Sequence, residues 1–346
     1  MSKDKVVRNL YGSLLEETSR RCHPFTALIE LTYACNINCE HCYLINRTRE
    51  GELTTEEICS ILEQLAEEGV LFLTFSGGEP LLRRDFFEIA HEARRLGFAL
   101  RIFTNGTLVD KKTSCRIAKL DPLEVEVSFY GSKAGTHDKL TGISGSFHRT
   151  MSGIKNLLRE GVRVNIKAPL TKHNYMEYVK MRALAERLGV HFFYDTQIVP
   201  KDDGDPCPVA LNMDERGLKV FYGHTKEWNG QDASWLMEKG RPYCNSGRNT
   251  LVISPYGDVY PCVQIRWKAG NLREESFAEI WRYSPVLMKM RRLNLKDFEE
   301  CIACDLFAYC FHCPGVSLLE TGHLLGCSPL AKSQALVLSS THGAPI

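Results

Sequence analysis

The sequence predicts an α/β fold, a partial TIM-type (β/α)6 barrel followed by a small cysteine-rich C-terminal domain. Two observations lead to this fold class. Apolar, β-branched segments alternate six times with helical patterns between residues 26 and 198. Six such units in succession require a parallel sheet with right-handed crossovers. Cysteines are concentrated in one short segment behind the first predicted strand and in several positions beyond residue 243.

The predicted strands are short and apolar, and helical patterns separate them. We expect strands at residues 27–31, 70–75, 98–103, 125–129, 162–168 and 191–198. The first crossover helix is expected over 55–68, because its apolar residues follow the i, i+3, i+4, i+7 spacing of a buried helical face. Thr54 or Thr55 is its expected N-cap. The same spacing predicts a helix around 181–188.

We expect the chain to divide into five segments. These are an N-terminal extension at 1–24, the barrel core at 25–200, a breaker-rich linker at 201–243, a cysteine-rich domain at 244–330 and a tail at 331–346. Within the cysteine-rich domain, the pattern predicts a hairpin near 250–263 and one helix over 276–293. The tail has weak periodicity and is expected to be partly mobile.

Composition excludes several classes of protein. The 346 residues are 44% hydrophobic and 25% charged, as in ordinary globular proteins. Because 43 basic residues balance 42 acidic ones, neither nucleic acid nor an anionic membrane is expected as the main partner. No apolar run approaches the roughly 20 residues of a membrane span. Residues 1–12 lack the apolar core of a signal peptide, so we expect a cytoplasmic protein.

The first cysteine group comprises Cys35, Cys39 and Cys42, with the spacing C-x3-C-x2-C directly after the first strand. The chain has 14 cysteines and no signal peptide, which favours metal or catalytic use over disulfides. Three thiolates on one loop are able to ligate three irons of a 4Fe–4S cube, which leaves the fourth iron open to a small chelating ligand. A zinc site is the alternative, although zinc motifs usually supply four ligands in two pairs.

Together with the motif that ends the second strand, this spacing resembles the radical S-adenosylmethionine (SAM) enzymes. The motif is the pentapeptide SGGEP at 76–80. Its glycines, Gly77 and Gly78, permit close backbone approach, and the Glu79 carboxylate is able to pair with an ammonium group. The resemblance implies that the motif receives the amino group of SAM and that the three cysteines hold the SAM-binding 4Fe–4S cluster.

The resemblance continues at the ends of the next strands. Thr104 and Asn105 end the third strand as in many relatives, and Ser128 ends the fourth, where relatives place a hydroxyl near SAM. Arg149 enters the next helix and is a candidate partner for the SAM carboxylate, the alternative being a solvated helix-start arginine. The implied chemistry is reductive cleavage of SAM to a 5′-deoxyadenosyl radical that abstracts hydrogen from a substrate.

The C-terminal cysteines resemble the SPASM extension of radical SAM enzymes, which carries auxiliary 4Fe–4S clusters. By that family's interlaced pattern, the outer auxiliary cluster is bound by Cys301, Cys304, Cys310 and Cys327. The inner cluster is bound by Cys244, Cys262 and Cys313, and its fourth position is open or filled by another residue. Cys207 and His312 are the candidates for that position. The alternative for the whole region is one or two structural zinc ions.

The resemblance narrows the reaction but leaves the substrate open. Enzymes with SPASM extensions mostly modify peptides or proteins, and pyrroloquinoline-quinone and mycofactocin maturation enzymes have a similar plan. We therefore expect a ribosomal peptide or a peptide-derived cofactor precursor as substrate. A radical SAM enzyme of the haem pathway, acting on a tetrapyrrole, is the alternative. A non-catalytic iron–sulfur electron-transfer protein is the alternative from a different class.

The catalytic base is also open. Many relatives read S-[IL]-D-G at strand four, where this chain has Tyr130 in place of the acid. Tyr130 and Asp195 are the candidates for proton transfer, and a strand-end hydrogen-bonding residue is the alternative interpretation of Asp195.

Two kinds of partner are expected besides the substrate. Clusters that are reduced at low potential need an electron donor such as a ferredoxin or flavodoxin. About 25 residues precede the first strand, which is too short for the leader-recognition domain found in many peptide-modifying relatives. If the substrate is a peptide, a separate leader-peptide-binding protein is therefore expected.

Overall fold

A computed structural model describes residues 3–45, 47–225 and 243–341. The linker expectation for residues 226–242, the tail expectation for 342–346 and the extension's first two residues lie outside this part of the chain. The strands are β1 Thr26–Thr32, β2 Phe72–Gly77, β3 Ala99–Thr104, β4 Glu124–Ser128, β5 Val164–Pro169, β6 His191–Asp195, β7 Thr250–Ile253, β8 Asp258–Tyr260 and β9 Gly270–Asn271.

The helices lie between and after these strands. In chain order they are α1 Lys3–Arg21, α2 Thr55–Glu67, α3 Phe86–Arg95, α4 Lys111–Lys119, α5 Ala134–Thr141, α6 Ser146–Arg159, α7 Tyr178–Leu188, α8 Glu215–His224, α9 Phe277–Tyr283, α10 Pro285–Arg292, α11 Glu299–Ile302, α12 Pro314–Thr321 and α13 Pro329–Thr341. No described helix is both long and apolar enough to cross a membrane.

The expected six-stranded parallel sheet is confirmed. The described strands form one sheet in the order β6-β5-β4-β3-β2-β1-β7-β8-β9, and β1 to β6 are parallel neighbours. Because parallel strands run in the same direction, their carboxyl ends meet at one edge of the sheet. Active sites of α/β barrels form at this edge, and the cysteine loop and the SGGEP motif both lie there.

Helix α2 illustrates how local signals produce the barrel wall. Thr54 is its N-cap, and Thr54 and Glu57 form a reciprocal capping box. Its predicted apolar face is buried, with Leu62 and Leu65 inaccessible to solvent. Apolar residues of β1 to β5 and the flanking helices pack into one continuous core, and burial of this surface is the main favourable contribution to folding.

The predicted C-terminal hairpin is present as β7 and β8, which pair antiparallel. Strand β7 also pairs parallel to β1, with Thr26 opposite Thr250, so the hairpin extends the barrel sheet instead of forming a separate one. The pairing satisfies the backbone groups along the edge of β1. The boundaries of the five expected segments stay a prediction.

One expectation about the C-terminal half needs correction, and the described part of the tail has a regular structure. The single helix predicted over 276–293 is interrupted at Ser284, because Pro285 lacks an N–H and begins α10 as a new helix. Over its described part the tail forms α13 and buries Ala335 and Leu338, and its partial mobility stays a prediction. Its buried positions include small and polar residues, which explains the weak sequence signal.

The described part of the expected linker is also folded. Residues 201–206 form turns, but α8 follows and buries Leu218 and Phe221 in the main core. Helix α13 packs against α8, and the Gln334 amide donates to the Thr196 carbonyl at 2.7 Å. These contacts attach the C-terminal residues to the end of β6.

Candidate functional site

The first cysteine loop lies at the carboxyl end of β1 and rests on the C-terminal end of α5. The Asn38 and Glu40 amides donate to the Thr141 and Leu140 carbonyls, at 2.8 and 3.1 Å. These bonds use carbonyls at the end of α5 that have no partner within the helix. The loop conformation is therefore set by backbone contacts that do not depend on the cysteine side chains.

The three thiols of this loop are close enough to influence one another. Burial, and to a lesser extent the neighbouring Cys42 thiol, raise the pKa of Cys39 to about 12. Burial likewise raises the pKa of Cys35. Because a metal ligand must be a thiolate, these protons leave only when a positive centre compensates the buried charge. The loop is thus a set of partly buried thiols suited to a bound cationic cluster.

The SGGEP motif holds the start of this loop against β2. The Gly78 amide donates to the Thr32 carbonyl at 2.7 Å, and the Glu79 amide donates to the Ala34 carbonyl at 2.9 Å. A Cβ at Gly77 would lie 2.2 Å from the Thr32 oxygen, and one at Gly78 would lie 2.3 Å from the Ala34 oxygen. The close approach that requires these glycines is therefore to the backbone before Cys35.

The Glu79 carboxylate joins the ends of β2 and β3. It is fully buried and accepts hydrogen bonds from the Thr104 hydroxyl and the Asn105 amide, both at 2.8 Å, and from the Leu81 amide at 3.2 Å. Burial raises the pKa of Glu79 to about 7, although these bonds oppose the shift. Thr104 and Asn105 thus lie beside Glu79, and contact of any of the three with SAM stays a prediction.

Asn105 and Tyr130 reach the cysteine sulfurs directly. The Asn105 Nδ2 group donates to Cys35 Sγ at 3.9 Å. Cys39 Sγ donates to Tyr130 Oη, also at 3.9 Å. When Cys39 is a thiolate it has no proton to donate, so the phenol O–H becomes the donor to sulfur. Neither contact was foreseen from the sequence, because each joins residues about 70 to 90 positions apart.

Tyr130 lies between the partly buried His41 and the buried His137. The ring of His41 meets it edge-on at 4.7 Å, and that of His137 stacks on it at 5.5 Å. The Tyr130 amide donates to His137 Nδ1 at 3.1 Å. Burial lowers the pKa of both histidines to about 4, so both are neutral near pH 7. His41, between two cysteines of the motif, is a site residue that the sequence analysis did not single out.

The remaining candidates are placed differently. Ser128 ends β4, and its hydroxyl hydrogen-bonds to Tyr130. Arg149 lies on the exposed side of α6, and its guanidinium donates to the Ser144 carbonyl at 3.4 Å. Asp195 is exposed at the end of β6, where it accepts from the Gln197 amide at 2.8 Å and lies near Cys313. Their roles towards SAM or substrate stay predictions.

The C-terminal cysteines lie in two neighbourhoods, and the binding of one cluster by each set stays a prediction. The pKa of Cys310 is raised to about 11 by burial and by the nearby thiols of Cys301, Cys327 and Cys304. Burial is the main cause that raises the pKa of Cys262 and the pKa of Cys313. The neighbouring thiol of Cys244 also raises both values. Cys301 lies on α11, Cys313 is the N-cap of α12 and Cys327 follows α12, whereas Cys244 and Cys262 flank the β7–β8 hairpin.

Tyr243 lies between these two neighbourhoods. Its pKa is raised by burial and by thiols of both sets. The Tyr243 hydroxyl contacts His312 Nδ1 at 3.0 Å, and His312 Nε2 contacts the Gly326 carbonyl at 3.0 Å. Both ring nitrogens of His312 therefore have partners, which argues against His312 as a fourth ligand of the inner set. Cys207 is exposed beside Asp205 and Lys201.

The thiols of the first cysteine loop and of the two C-terminal neighbourhoods fit iron–sulfur clusters. Each neighbourhood consists of thiols, the donor type that holds 4Fe–4S cubes. In the described residues no three side chains converge on one point that could hold a single metal ion. A cube does not require this, because each of its irons takes a separate thiolate. The first loop offers three thiols, the outer set four and the inner set three.

A buried ionic network connects the two cysteine regions. Glu30 on β1 is inaccessible to solvent, and its carboxylate pairs with both terminal nitrogens of Arg266 at 2.8 and 2.9 Å. Glu30 also accepts from the hydroxyls of Tyr33 and Tyr43. Tyr43 directly follows Cys42, and Arg266 follows Cys262 by four residues. The network therefore fixes the first loop relative to the auxiliary region.

Comparison with known families agrees with this arrangement. Residues 29–185 match the model of the radical SAM superfamily, and residues 244–305 match an iron–sulfur cluster-binding domain, SPASM. The AdoMet-dependent heme synthase of Methanosarcina barkeri is 32% identical over 86% of this chain and 93% of that protein. The mycofactocin maturase MftC of Mycobacterium ulcerans is 29% identical over 83% of this chain and 82% of that protein.

Solved structures show the same fold at lower identity. Streptococcus suis SuiB bound to its precursor peptide SuiA superimposes with a TM-score of 0.72 at 18% identity, covering 96% of this chain and 82% of that one. The enzyme anSMEcpe with bound AdoMet superimposes with a TM-score of 0.70 at 18% identity, covering 92% of this chain and 96% of that one.

Proposed function

Because this chain belongs to the radical SAM superfamily and carries a SPASM domain, we propose that it modifies a ribosomal peptide or a peptide-derived cofactor precursor. SAM, the SAM-binding 4Fe–4S cluster and auxiliary iron–sulfur clusters are its cofactors. When bound, the first cluster and SAM supply the 5′-deoxyadenosyl radical that removes a hydrogen atom from the substrate.

The observation that favours a peptide is the exposed edge of the sheet. In the described chain β6 pairs only with β5, so one side of its backbone is not used by another strand. Phe193 and Tyr194 on this strand are 48% and 41% exposed. An extended peptide is able to add to such an edge through main-chain hydrogen bonds, while side-chain pockets select its residues.

A cavity adjoins this edge. It has a volume of about 490 Å³ and is lined by Tyr194, Asp195 and Tyr222 on the barrel side and by Phe311 from the auxiliary region. Because β6 is parallel to β1, its carboxyl end lies at the same edge of the sheet as the first cysteine loop. A peptide on β6 would therefore place one side chain in the cavity and its neighbours near the reacting centre.

The chain's own residues have separate tasks in this proposal. Cys35, Cys39 and Cys42 hold the first cluster, and the SGGEP backbone orients their loop. Gly77, Gly78 and Glu79 form the floor on which the SAM methionine group is proposed to bind. Buried aromatic groups such as Tyr130 exclude water from the cluster and so protect a reactive radical.

The first experiment uses protein reconstituted anaerobically with iron and sulfide. With SAM and dithionite it is expected to form 5′-deoxyadenosine, and Cys39→Ala is expected to form none.

Candidate precursor peptides are those encoded beside this gene, and modification is detected as a mass change. Phe193→Ala and Tyr194→Ala are expected to raise KM for the peptide, with Tyr283→Ala, at an exposed residue of α9, as the control.

The similarity to the haem synthase over most of both chains favours a second candidate, a tetrapyrrole substrate. The test incubates the same enzyme with a carboxylated iron porphyrin and SAM, and follows the porphyrin by absorbance and mass. Porphyrin conversion without modification of any peptide would replace the peptide proposal. Full cluster loading without SAM cleavage would favour the electron-transfer alternative.

The proposed partners follow from the same chemistry. A low-potential donor such as a ferredoxin or flavodoxin supplies the electron, and a reducing compartment such as the cytoplasm keeps the thiols available to the clusters. The separate leader-peptide-binding protein stays a prediction that copurification with the precursor peptide would test.

A further inference from the structure

The outer surface formed by α5, α6 and α7 carries a groove with a strongly basic rim. Its volume is about 510 Å³, and its floor includes Phe147 and Met151. Four exposed cations line it, and we call the feature the basic groove: Lys133, Lys155, Lys180 and Arg187. No substrate or cofactor role assigned above involves these four residues.

The positive charge of the basic groove is largely uncompensated. Within the described part of the chain, no ion pair joins any of the four rim cations to a carboxylate. Glu177 lies near Lys133 and offsets part of its charge, and the Glu177 carboxylate also accepts from the hydroxyls of Ser132 and Thr136. Glu186 on α7 pairs with Arg182. Because the whole chain has a net charge of only +1, such a concentration of cations is a local feature.

The basic groove is connected to the first cysteine loop by a short series of aromatic contacts. The ring of Phe147 on its floor meets the ring of His137 at 5.9 Å. The His137 ring stacks on Tyr130, whose hydroxyl contacts Cys39 at 3.9 Å. Helix α5 spans about 12 Å, with Lys133 as its N-cap and the Thr141 carbonyl bonded to the loop at Asn38.

We propose that the basic groove is the docking surface for a small acidic one-electron carrier protein that reduces the first cluster. This rests on the proposed function, since it supplies the electron which that function consumes. The carrier loses one electron and the cluster gains it. The cluster then passes this electron to SAM, whose sulfur–carbon bond breaks to give methionine and the 5′-deoxyadenosyl radical.

Two physical arguments select this partner. Electron-transfer complexes are transient and small, and they rely on charge complementarity for fast association. An acidic carrier is attracted by the four rim cations, while the apolar floor allows close contact of its redox centre. The buried cysteine loop needs a surface from which an electron reaches it over a short distance, and the aromatic contacts connect the basic groove to that loop.

The test compares two reductants on the reconstituted holoenzyme. Reduced flavodoxin is the protein donor, and dithionite is the chemical donor that needs no docking. Reduction of the first cluster by flavodoxin is monitored by electron paramagnetic resonance. In Lys155→Glu/Lys180→Glu we expect this reduction to slow about tenfold or more at low salt. Dithionite-driven 5′-deoxyadenosine formation is expected to be unchanged. Added salt is expected to slow the unaltered enzyme towards the variant's rate.

The matched control is Lys119→Glu/Lys332→Glu, which makes the same charge change at exposed residues of α4 and α13. Its flavodoxin rate is expected to stay near that of the unaltered enzyme. An equal loss in both double variants, or no loss in Lys155→Glu/Lys180→Glu, would overturn the proposal. A loss with dithionite as well as flavodoxin would also overturn it, because the basic groove would then support substrate binding or catalysis itself.

The docking proposal and the proposed function fail in different ways. If the unaltered enzyme forms no 5′-deoxyadenosine with dithionite, the radical SAM activity has failed. Reduction of the first cluster by flavodoxin still measures docking in that case, because it does not require SAM. The milder Lys133→Ala/Arg187→Ala variant provides a second measurement with little risk to folding. It is expected to slow reduction by flavodoxin and to leave the dithionite-driven reaction unchanged.

Discussion

At the residue scale, two polar side chains contact the sulfurs of the first cysteine loop. Asn105 and Tyr130 come from the ends of β3 and β4, and each reaches a different cysteine. The sequence identified both residues, but as a SAM-binding residue and a candidate base. Their contacts with Cys35 and Cys39 indicate an additional effect, because hydrogen bonds to cluster sulfurs stabilise the more negative, reduced state.

Replacement of Tyr130 is expected to change the reduction potential of the first cluster. Tyr130→Phe removes the O–H donor to Cys39 and retains the ring between the two histidines. We expect the potential to become more negative by about 20 to 60 mV, as the loss of one ordinary hydrogen bond implies. Redox titration monitored by electron paramagnetic resonance measures it. Tyr283→Phe, at a 72% exposed residue, is the control, and equal potentials in all three proteins would contradict the prediction.

His137 makes stability depend on pH. Its folded pKa is about 4, below the 6.5 of the free side chain, because burial disfavours the charged ring and Nδ1 accepts from Tyr130. The unfolded chain therefore binds the additional proton as pH falls below 6.5. The free energy of unfolding is therefore unaffected by protonation of His137 above pH 6.5, and it falls as the pH decreases from 6.5 towards 4.

The corresponding measurement is urea unfolding between pH 7.5 and 5.5. Over this interval His137 is expected to lower the free energy of unfolding by about 1.4 kcal/mol. The Gln side chain of His137→Gln still accepts from the Tyr130 amide but does not titrate. Over the same pH interval, the free energy of unfolding of this variant should therefore decline by about 1.4 kcal/mol less than that of the unaltered protein. Parallel pH profiles for the two proteins would show that His137 is not held neutral.

At the element scale, the contacts between β1 and the residues after Cys262 matter most. The Glu30–Arg266 pair is buried, with the Arg266 side chain 12% exposed. Removing one partner of such a pair leaves an uncompensated buried charge. In contrast, the ion pair between Glu57 at the start of α2 and Arg273 is more than one-third exposed on both sides, and water compensates for its loss.

These two arginines provide a matched comparison. Arg266→Met is expected to lower the free energy of unfolding by about 3 to 5 kcal/mol, whereas Arg273→Met is expected to lower it by about 1 kcal/mol or less. Arg266→Lys, which keeps the charge but not the two-pronged contact, should fall between them. Chemical denaturation measures all three. Similar losses in the two Met variants would contradict the structural role given to the buried network.

At the scale of the whole molecule, the barrel and the cysteine-rich region form one structure. Strand β7 extends the barrel sheet, and α9 packs against α2 through contacts such as the Phe277 amide with Gln64 Oε1 at 2.8 Å. The ionic network and α13 add two further connections. The three cysteine neighbourhoods are therefore held at fixed positions by one continuous core.

Iron content tests the assignment of the two auxiliary sets. Three cubes predict about 12 irons per chain in reconstituted protein. Cys310→Ser should remove the outer cluster and Cys262→Ser the inner one, each leaving about 8 irons. Cys59→Ser, in α2, is the control and should leave the iron content unchanged. Zinc in place of iron, or equal loss of both clusters from each single variant, would contradict the assignment.

The sequence by itself determined the barrel and its reacting edge. Predicted and observed ends of the six parallel strands agree within three residues, because strands, helices and caps depend on neighbours within a few positions. The C-x3-C-x2-C loop and SGGEP were recognisable for the same reason, since their residues are adjacent in the chain.

Only the tertiary structure decided which distant groups meet. Tyr130 lies 91 residues from Cys39 and Arg266 lies 236 from Glu30, and no local pattern specifies such contacts. The pairing of β7 with β1 and the basic groove between three helices likewise arise when separate elements pack together. Packing, burial and charge thus selected the partners of each site residue, whereas local spacing determined only which residues were available.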